Sequence, residues 1–283
     1  MSWQVYLTIS IILLSCNGLF HRSLLKDEDS STQAQTLLFL GLGGFMATII
    51  ALVQGKLNLR FPPEIWPNLL LLMALLTPAY LLKYRGFQLI GASEVVMFSM
   101  TGRLWSVIGA TLFLQEVLTV KMIIGILLII GGVMLTRYEK KTFAFNKGVG
   151  IVLLSAALAG IGDINGFYIL RSYDPSNYLI YFYLLPVLTL LCIKPKSILK
   201  IKYYFRRDRA LKMGLLSLCD TLGMLALYLA YQAGGRATII APLKSLSILV
   251  TVILSAVILK ERQNMGNKVI GAIVAIGGVF LLM

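Results

Sequence analysis

Four ionisable residues stand inside otherwise apolar stretches of this chain: Arg103, Asp163, Asp220 and Lys244. A charge near the centre of a bilayer costs about 2.5 to 3.5 kcal/mol on insertion scales, so each should face a cavity or a partner. With the 1.5 Å rise of a helix, Lys244 lies about 10 Å inside the start of its stretch and Asp163 about 10 Å before the end of its own, on the same side. Asp220 and Arg103 lie about 13 and 16 Å into stretches that start from one side. The matching depths predict two ion pairs, Asp163 with Lys244 and Asp220 with Arg103. Such pairs either neutralise one another and fix helix register or hold the amino and carboxyl groups of a zwitterion, a proton or substrate displacing one partner.

Asn17-Gly18 and Asn165-Gly166 each set an amide beside a small residue. The two asparagines suit either substrate hydrogen bonding or close helix packing. Pro242, two residues before Lys244, lacks an amide hydrogen and frees a carbonyl one turn earlier, which predicts a cavity-facing break or a tolerated kink. Tyr84, Tyr228, Gln88 and Gln232 fall near span ends, where tyrosines commonly anchor a helix at the membrane surface. Glu116 and Glu261 immediately precede helices, where a carboxylate meets the positive N-terminal end. His21, Lys83, Arg85 and Glu94 gather near one side, as the rim of a pathway would.

The elements that must position these groups are apolar helices. Charged residues make up 13% of the chain and apolar ones 58%, whereas a water-soluble domain carries about a quarter charged. Spans are predicted at 3–21, 34–53, 66–84, 92–114, 119–137, 147–170, 177–193, 211–233, 237–259 and 265–283. Most approach the length of about 20 residues needed to cross a hydrocarbon core of about 30 Å. The first run has no basic leader and no small-residue cleavage site, so it reads as a retained helix. Phe61-Pro62-Pro63 and Asp174-Pro175 stop helices. The charged run from Arg137 to Lys141 is too polar for lipid and divides the chain into halves, 1–140 and 141–283.

The halves resemble each other. Gly125-Ile-Leu-Leu-Ile-Ile-Gly-Gly-Val-Met-Leu135 aligns with Gly271-Ala-Ile-Val-Ala-Ile-Gly-Gly-Val-Phe-Leu281, and Leu114-Gln115-Glu116 with Leu259-Lys260-Glu261. Tyr84, Gln88 and Gly91 align with Tyr228, Gln232 and Gly235, and Asn17-Gly18 with Asn165-Gly166. The offset stays almost constant through several spans, which identifies an internal duplication. Five spans per half is an odd number, so the halves must run in opposite directions across the membrane. The loops after the first, third, fifth, seventh and ninth spans hold most of the 26 Lys and Arg. The positive-inside rule places those loops in the cytoplasm and both termini outside. The fold class is therefore all-α: a polytopic membrane protein of ten transmembrane helices in two inverted five-helix repeats.

A tyrosine with small residues, an apolar span ending in Leu-x-Glu, and Gly-x5-Gly-Gly-Val, present twice, resemble the EamA-type branch of the drug/metabolite transporter superfamily. The resemblance covers essentially the whole chain. It implies a ten-helix carrier with a central cavity lined largely by the first, third, fourth, sixth, eighth and ninth spans, and with the fifth and tenth toward the back. Such proteins often carry a proline midway along the fourth span, where this chain has Gly102-Arg103.

The net charge of +14 does not indicate nucleic acid, because the basic residues sit in short loops between apolar spans and suit anionic lipid. The longest basic run, Lys194 to Lys212, is read the same way despite its aromatic residues. Cys16, Cys192 and Cys219 lack metal-ligand spacing and read as small core hydrophobes. No phosphate-cradling glycine loop is present. One histidine without a nucleophile-base pattern argues against an enzyme, and no cofactor or metal is expected. The sequence thus reads as a secondary carrier in a multi-pass membrane, of the bacterial inner membrane type. It moves a small polar organic metabolite, an amino acid among the candidates, by alternating access, in the export direction and with protons as a candidate coupling ion. Arg103, Asp163, Asp220, Lys244, Asn17 and Asn165 are the expected substrate-binding residues. The alternative on the same fold is a lipid-headgroup flippase or a multidrug exporter.

Overall fold

The computed structural model describes residues 1–24, 32–60, 62–90, 92–136, 146–193, 195–258 and 265–282. Among these residues every regular element is helical. The α-helices are α1 (Trp3–Leu24), α2 (Thr32–Val53), α3 (Trp66–Leu89), α4 (Ala92–Ser99), α5 (Gly102–Phe113), α6 (Val120–Thr136), α7 (Lys147–Ile169), α8 (Pro175–Ile193), α9 (Arg207–Gln232), α10 (Ala237–Lys244), α11 (Leu246–Ile258) and α12 (Met265–Leu282). Glu261, Gly91 and the run 137–141 lie outside the described residues, as do the side chains of His21 and Tyr84.

Among the described residues, six helical segments are long and apolar enough to cross a membrane: Gln33–Val53, Pro63–Leu89, Glu94–Phe113, Lys147–Ile169, Pro175–Ile193 and Arg207–Gln232. Four further apolar helices, Trp3–Asn17, Val120–Thr136, Ala237–Thr251 and Gly266–Leu282, run 10–17 residues. Each predicted span overlaps a helix, but by length and composition six of them qualify. Many large apolar side chains point outward, among them Phe45, Leu70, Leu112, Ile273 and Phe280. An apolar exterior of this kind is solvated by lipid tails.

The chain forms two compact units, and they are not the sequence halves. The first comprises Met1–Thr77 and Ile169–Ala233, the second Pro78–Tyr168 and Gly234–Met283. Each therefore draws on both halves. The division falls inside α3 at Pro78, where the missing amide hydrogen interrupts the helix ladder.

In the first unit α1 packs along α9, and α2 along α8 and α9. Gly43 permits close approach of α8, since a Cβ there would stand 3.0 Å from the Tyr183 ring. Gly223 likewise admits Leu14 of α1. A 3-10 segment, Pro195–Phe205, packs under α2. Its Tyr204 is fully buried among Leu24, Ala34, Met213 and Leu216. The guanidinium of Arg209 lies 3.8 Å above the Tyr203 ring, a cation-π contact. Thus Tyr203 and Tyr204 of the basic run pack against protein, while Lys200, Lys202, Arg206 and Arg207 are exposed.

In the second unit α6 and α12 lie against each other. A Cβ on Gly125 would stand 2.9 Å from the carbonyl of Gly278, and one on Gly132 would stand 2.5 Å from that of Gly271. The residue nearer the start of α6 thus meets the one nearer the end of α12, so the helices are antiparallel. Only glycine allows backbones this close.

Two helices of this unit are broken. Between α4 and α5, Met100 and Thr101 N–H donate to the carbonyls three residues back, of Met97 and Phe98, both at 3.1 Å. The hydroxyls of Ser99 and Thr101 add bonds to the carbonyls of Val95 and Phe98, each 2.7 Å, an arrangement that competes with a regular helix. Between α10 and α11 the cause is Pro242, after which Ser245 N–H donates to the Pro242 carbonyl at 3.0 Å. Arg103 follows the first break and Lys244 immediately precedes the second.

Candidate functional site

The polar centre of the second unit is built on close contact between α5 and α7. A Cβ on Gly102 would stand 2.8 Å from the Ala156 carbonyl, and one on Gly109 would stand 3.0 Å from Ile164. The Ser106 hydroxyl, on the same face, donates to the Gly160 carbonyl at 3.2 Å. This contact sets the neighbouring Arg103 opposite Asp163, and Arg103 Nη1 donates to Asp163 Oδ2 at 2.7 Å. The side chains retain 20% and 23% of their exposure. The pair is charge-assisted and uses one edge of the guanidinium. Its buried Nε–H has no hydrogen-bond acceptor among the described residues.

Two lysines complete the centre. Lys244 ends α10, where the helix presents its negative carbonyl end. Lys83 of α3, half-buried, lies within electrostatic reach of both Arg103 and Lys244. Lys83 thus lies near the charges of both Lys244 and Arg103, the partner of Asp163. Asn165 is buried and, two residues beyond Asp163, is turned about 200° away around α7.

The polar centre of the first unit surrounds Asp220 on α9. Asn17 Nδ2 of α1 donates to Oδ1 at 2.6 Å, and the Tyr183 hydroxyl of α8 donates to Oδ2 at 2.6 Å. Tyr183 is held edge-on by Phe39, centroids 6.4 Å apart, and by Phe182 at 5.2 Å. Phe182 and Tyr178 in turn contact Tyr228. Both donors are neutral groups.

The pairing of Arg103 with Asp220 predicted from depth is corrected. Arg103 pairs with Asp163 rather than Asp220, and Asp220 lies in the other unit with Asn17 and Tyr183. Depth orders residues along a helix but leaves rotation and neighbour undetermined, and here the small residues at 102, 106 and 160 decide which faces meet. Tyr228 is also corrected. It is buried in the aromatic cluster rather than placed at a membrane surface. Its companion Gln232 donates to the carbonyls of Leu170 and Tyr173, both at 3.0 Å.

Glu116 acts on a different helix from the one it precedes. Its carboxylate accepts from the Ala237 and Thr238 amides, each 2.8 Å, and from the Thr238 hydroxyl at 2.7 Å. These are the first residues of α10, whose unpaired amides and positive end a carboxylate satisfies. Gln115 makes the approach possible by taking φ 57°, after which Glu116 N–H reaches back to the Ala110 carbonyl at 3.3 Å. Arg236 donates to the Val117 carbonyl beside it.

At the end of the first unit, Asp174 caps α8 by accepting from the Ser176 amide at 2.9 Å and meets Lys56 at 3.6 Å. The Tyr173 hydroxyl donates to the Asn58 carbonyl at 2.9 Å. Burial, with Tyr181 and Asp174 adding smaller effects, pushes the Tyr173 phenol up to about 12.

Sequence reasoning missed Tyr183 and placed Lys83 at a rim rather than beside Arg103. The available signal for Tyr183 was the aromatic density of α8, Tyr178, Tyr181, Phe182 and Tyr183, within a span too apolar to need it. Among the described residues no group of His, Cys, Asp and Glu is arranged to hold a metal.

The EamA-like transporter family model matches residues 1–138 and again 146–283. No curated protein matches the chain in sequence. Among solved structures, one described only as a crystal structure of a protein superposes with a TM-score of 0.79 at 16% identity, covering 99% of this chain and 96% of that one. That likeness establishes a common fold.

Proposed function

We propose that this chain, which belongs to the EamA-like transporter family of the drug/metabolite transporter superfamily, is a secondary active carrier that exports a small polar organic metabolite by alternating access. The observation that carries this reading is the Arg103–Asp163 pair inside two apolar spans, with Lys83 in electrostatic reach of Arg103 and of Lys244. Burying charges in a span is costly, and carriers use such groups to recognise polar solutes at mid-membrane depth. Arg103, Asp163 and Lys244 bind substrate in this reading, and Asn165 supports α7. Asp220, with Asn17 and Tyr183, serves proton coupling. Asp163 is tied to the permanent cation of Arg103. Asp220 receives its hydrogen bonds from an amide and a phenol, which tolerate a change in its charge.

The architecture in this reading is ten spans in two inverted repeats, residues 1–140 and 141–283. Two successive family matches support it. So do the glycine contacts, because the alignment that sets Gly125 on Gly271 also sets Gly132 on Gly278. Exchanging the repeats therefore exchanges the observed contacts, Gly125 with Gly278 and Gly132 with Gly271, as a two-fold axis in the membrane plane requires. Both termini face outward, and the membrane is the bacterial inner membrane.

The test is transport by the full chain in proteoliposomes, using a labelled panel of amino acids and organic acids, with and without an imposed pH gradient. Saturable counterflow of at least one solute, accelerated by the gradient and abolished in Arg103→Gln, is expected. Absence of counterflow across the panel, with purified folded protein in the vesicles, would reject the carrier assignment for these solutes.

A further inference from the structure

We infer that Lys83, Arg103 and Lys244 form a seat for an oxyanion, so that the transported solute carries a carboxylate or phosphate group held in the second unit. The inference rests on the carrier reading for its meaning and on the second unit alone for its geometry. Asp163 occupies one edge of the Arg103 guanidinium through Nη1. The adjoining Nε–H is buried and has no acceptor among the described residues. A buried donor left without an acceptor is costly, and the edge formed by Nε–H and a terminal N–H of arginine fits two oxygens of one oxyanion.

The lysines supply the second argument. Lys83 of α3 lies close enough to Arg103 of α5 and to Lys244 of α10 for the charges of both to act on it. Like charges gathered in a low-dielectric span repel strongly, so their assembly favours an anion. The break between α10 and α11 sets Lys244 at a helix end, and the break between α4 and α5 sets Arg103 at a helix beginning. Lysines contribute charge without fixed geometry, whereas Arg103 fixes the orientation of the oxyanion. A purely cationic solute would meet the wrong sign at this centre.

The experiment is thermal unfolding of the full chain in detergent at constant ionic strength, titrated separately with sodium succinate, sodium glutamate, inorganic phosphate and glycerol 1-phosphate. Sodium chloride and choline chloride serve as controls. At least one of the four oxyanions should raise the midpoint saturably. Lys83→Gln should weaken that effect about tenfold in concentration, while Lys83→Arg stays within about threefold of the parent. Arg103→Lys should lose more than Lys83→Arg, because it keeps charge and removes the planar edge. A response confined to succinate and glutamate assigns a carboxylate. One confined to glycerol 1-phosphate assigns a phosphate of the lipid-headgroup kind, and one shared with inorganic phosphate assigns a free phosphate. No oxyanion response in the folded parent, or a response unchanged in Lys83→Gln and Arg103→Lys alike, overturns the inference. Counterflow of neutral or cationic solutes would leave the carrier reading standing while this inference fails. Oxyanion binding without any counterflow would do the reverse.

Discussion

Asp163 and Asp220 are both carboxylates on long apolar helices, yet their surroundings differ in kind. Asp163 meets a guanidinium across a contact made by small residues, and Lys83 lies within electrostatic reach of that guanidinium. Asp220 meets an amide and a phenol framed by aromatic rings. A guanidinium can only donate, whereas an amide and a phenol can each donate or accept. The first arrangement suits recognition by fixed charge, the second reversible protonation. In the proposed reading, partner chemistry rather than the carboxylate itself separates the two roles.

The largest effect should come from removing the fixed cation. Arg103→Gln leaves Asp163 without its partner and should destabilise the protein by about 3 kcal/mol, at the lower end for broken buried pairs because both side chains retain some exposure. Thermal unfolding measures it. The double variant Arg103→Gln/Asp163→Asn should recover most of that stability without recovering transport, whereas equal stability loss in the single and double variants would contradict a charge-pair role. Next comes Asp220→Asn, which should abolish acceleration by a pH gradient while counterflow persists. Counterflow retaining its full response to the gradient would move the coupling role elsewhere.

Tyr183→Phe deletes one hydrogen bond to a carboxylate and keeps the ring in its aromatic setting, so about 1.5 to 3 kcal/mol is expected at most. Its effect on gradient-driven transport should exceed its effect on counterflow. The smallest effect lies at the anchorage of α8, the helix that carries Tyr183. Because the folded Tyr173 phenol is pushed up to about 12 from about 10, its contribution is complete below pH of about 10. It fades as pH rises toward about 12. Unfolding midpoints of the parent and Tyr173→Phe should therefore converge over that alkaline interval.

Much of the helical layout was legible because apolar composition and length carry it. Each predicted span overlaps a helix, and the intramembrane charges stand out against their neighbours. Pro242 announced one helix break, since a missing amide hydrogen is visible in sequence. The break at residues 100–101 has no such mark. It arises where Ser99 and Thr101 compete for backbone carbonyls, a choice that neighbouring packing decides. The partners of Arg103 and Asp220 were illegible for another reason. Periodicity gives each helix a face, but α7 is nearly uniform around its circumference, so the contact of Gly102 with Gly160 selected the face that sequence could not. The grouping into units was hidden as well, because it joins segments from both halves.

The antiparallel glycine contact between α6 and α12 also sets an order of events during synthesis. Residues 120–136 leave the ribosome about 130 residues before α12 begins, a delay on the order of ten seconds at common elongation rates. Throughout that interval the notched side of α6 has no matching helix and must rest against lipid or the insertion machinery. The first unit, whose segments end at Ala233, can close before the second. A nascent chain released or cleaved between residues 233 and 265 would therefore carry a completed first unit and an α6 without its matching helix, a form that membrane quality control could recognise by its bare glycines.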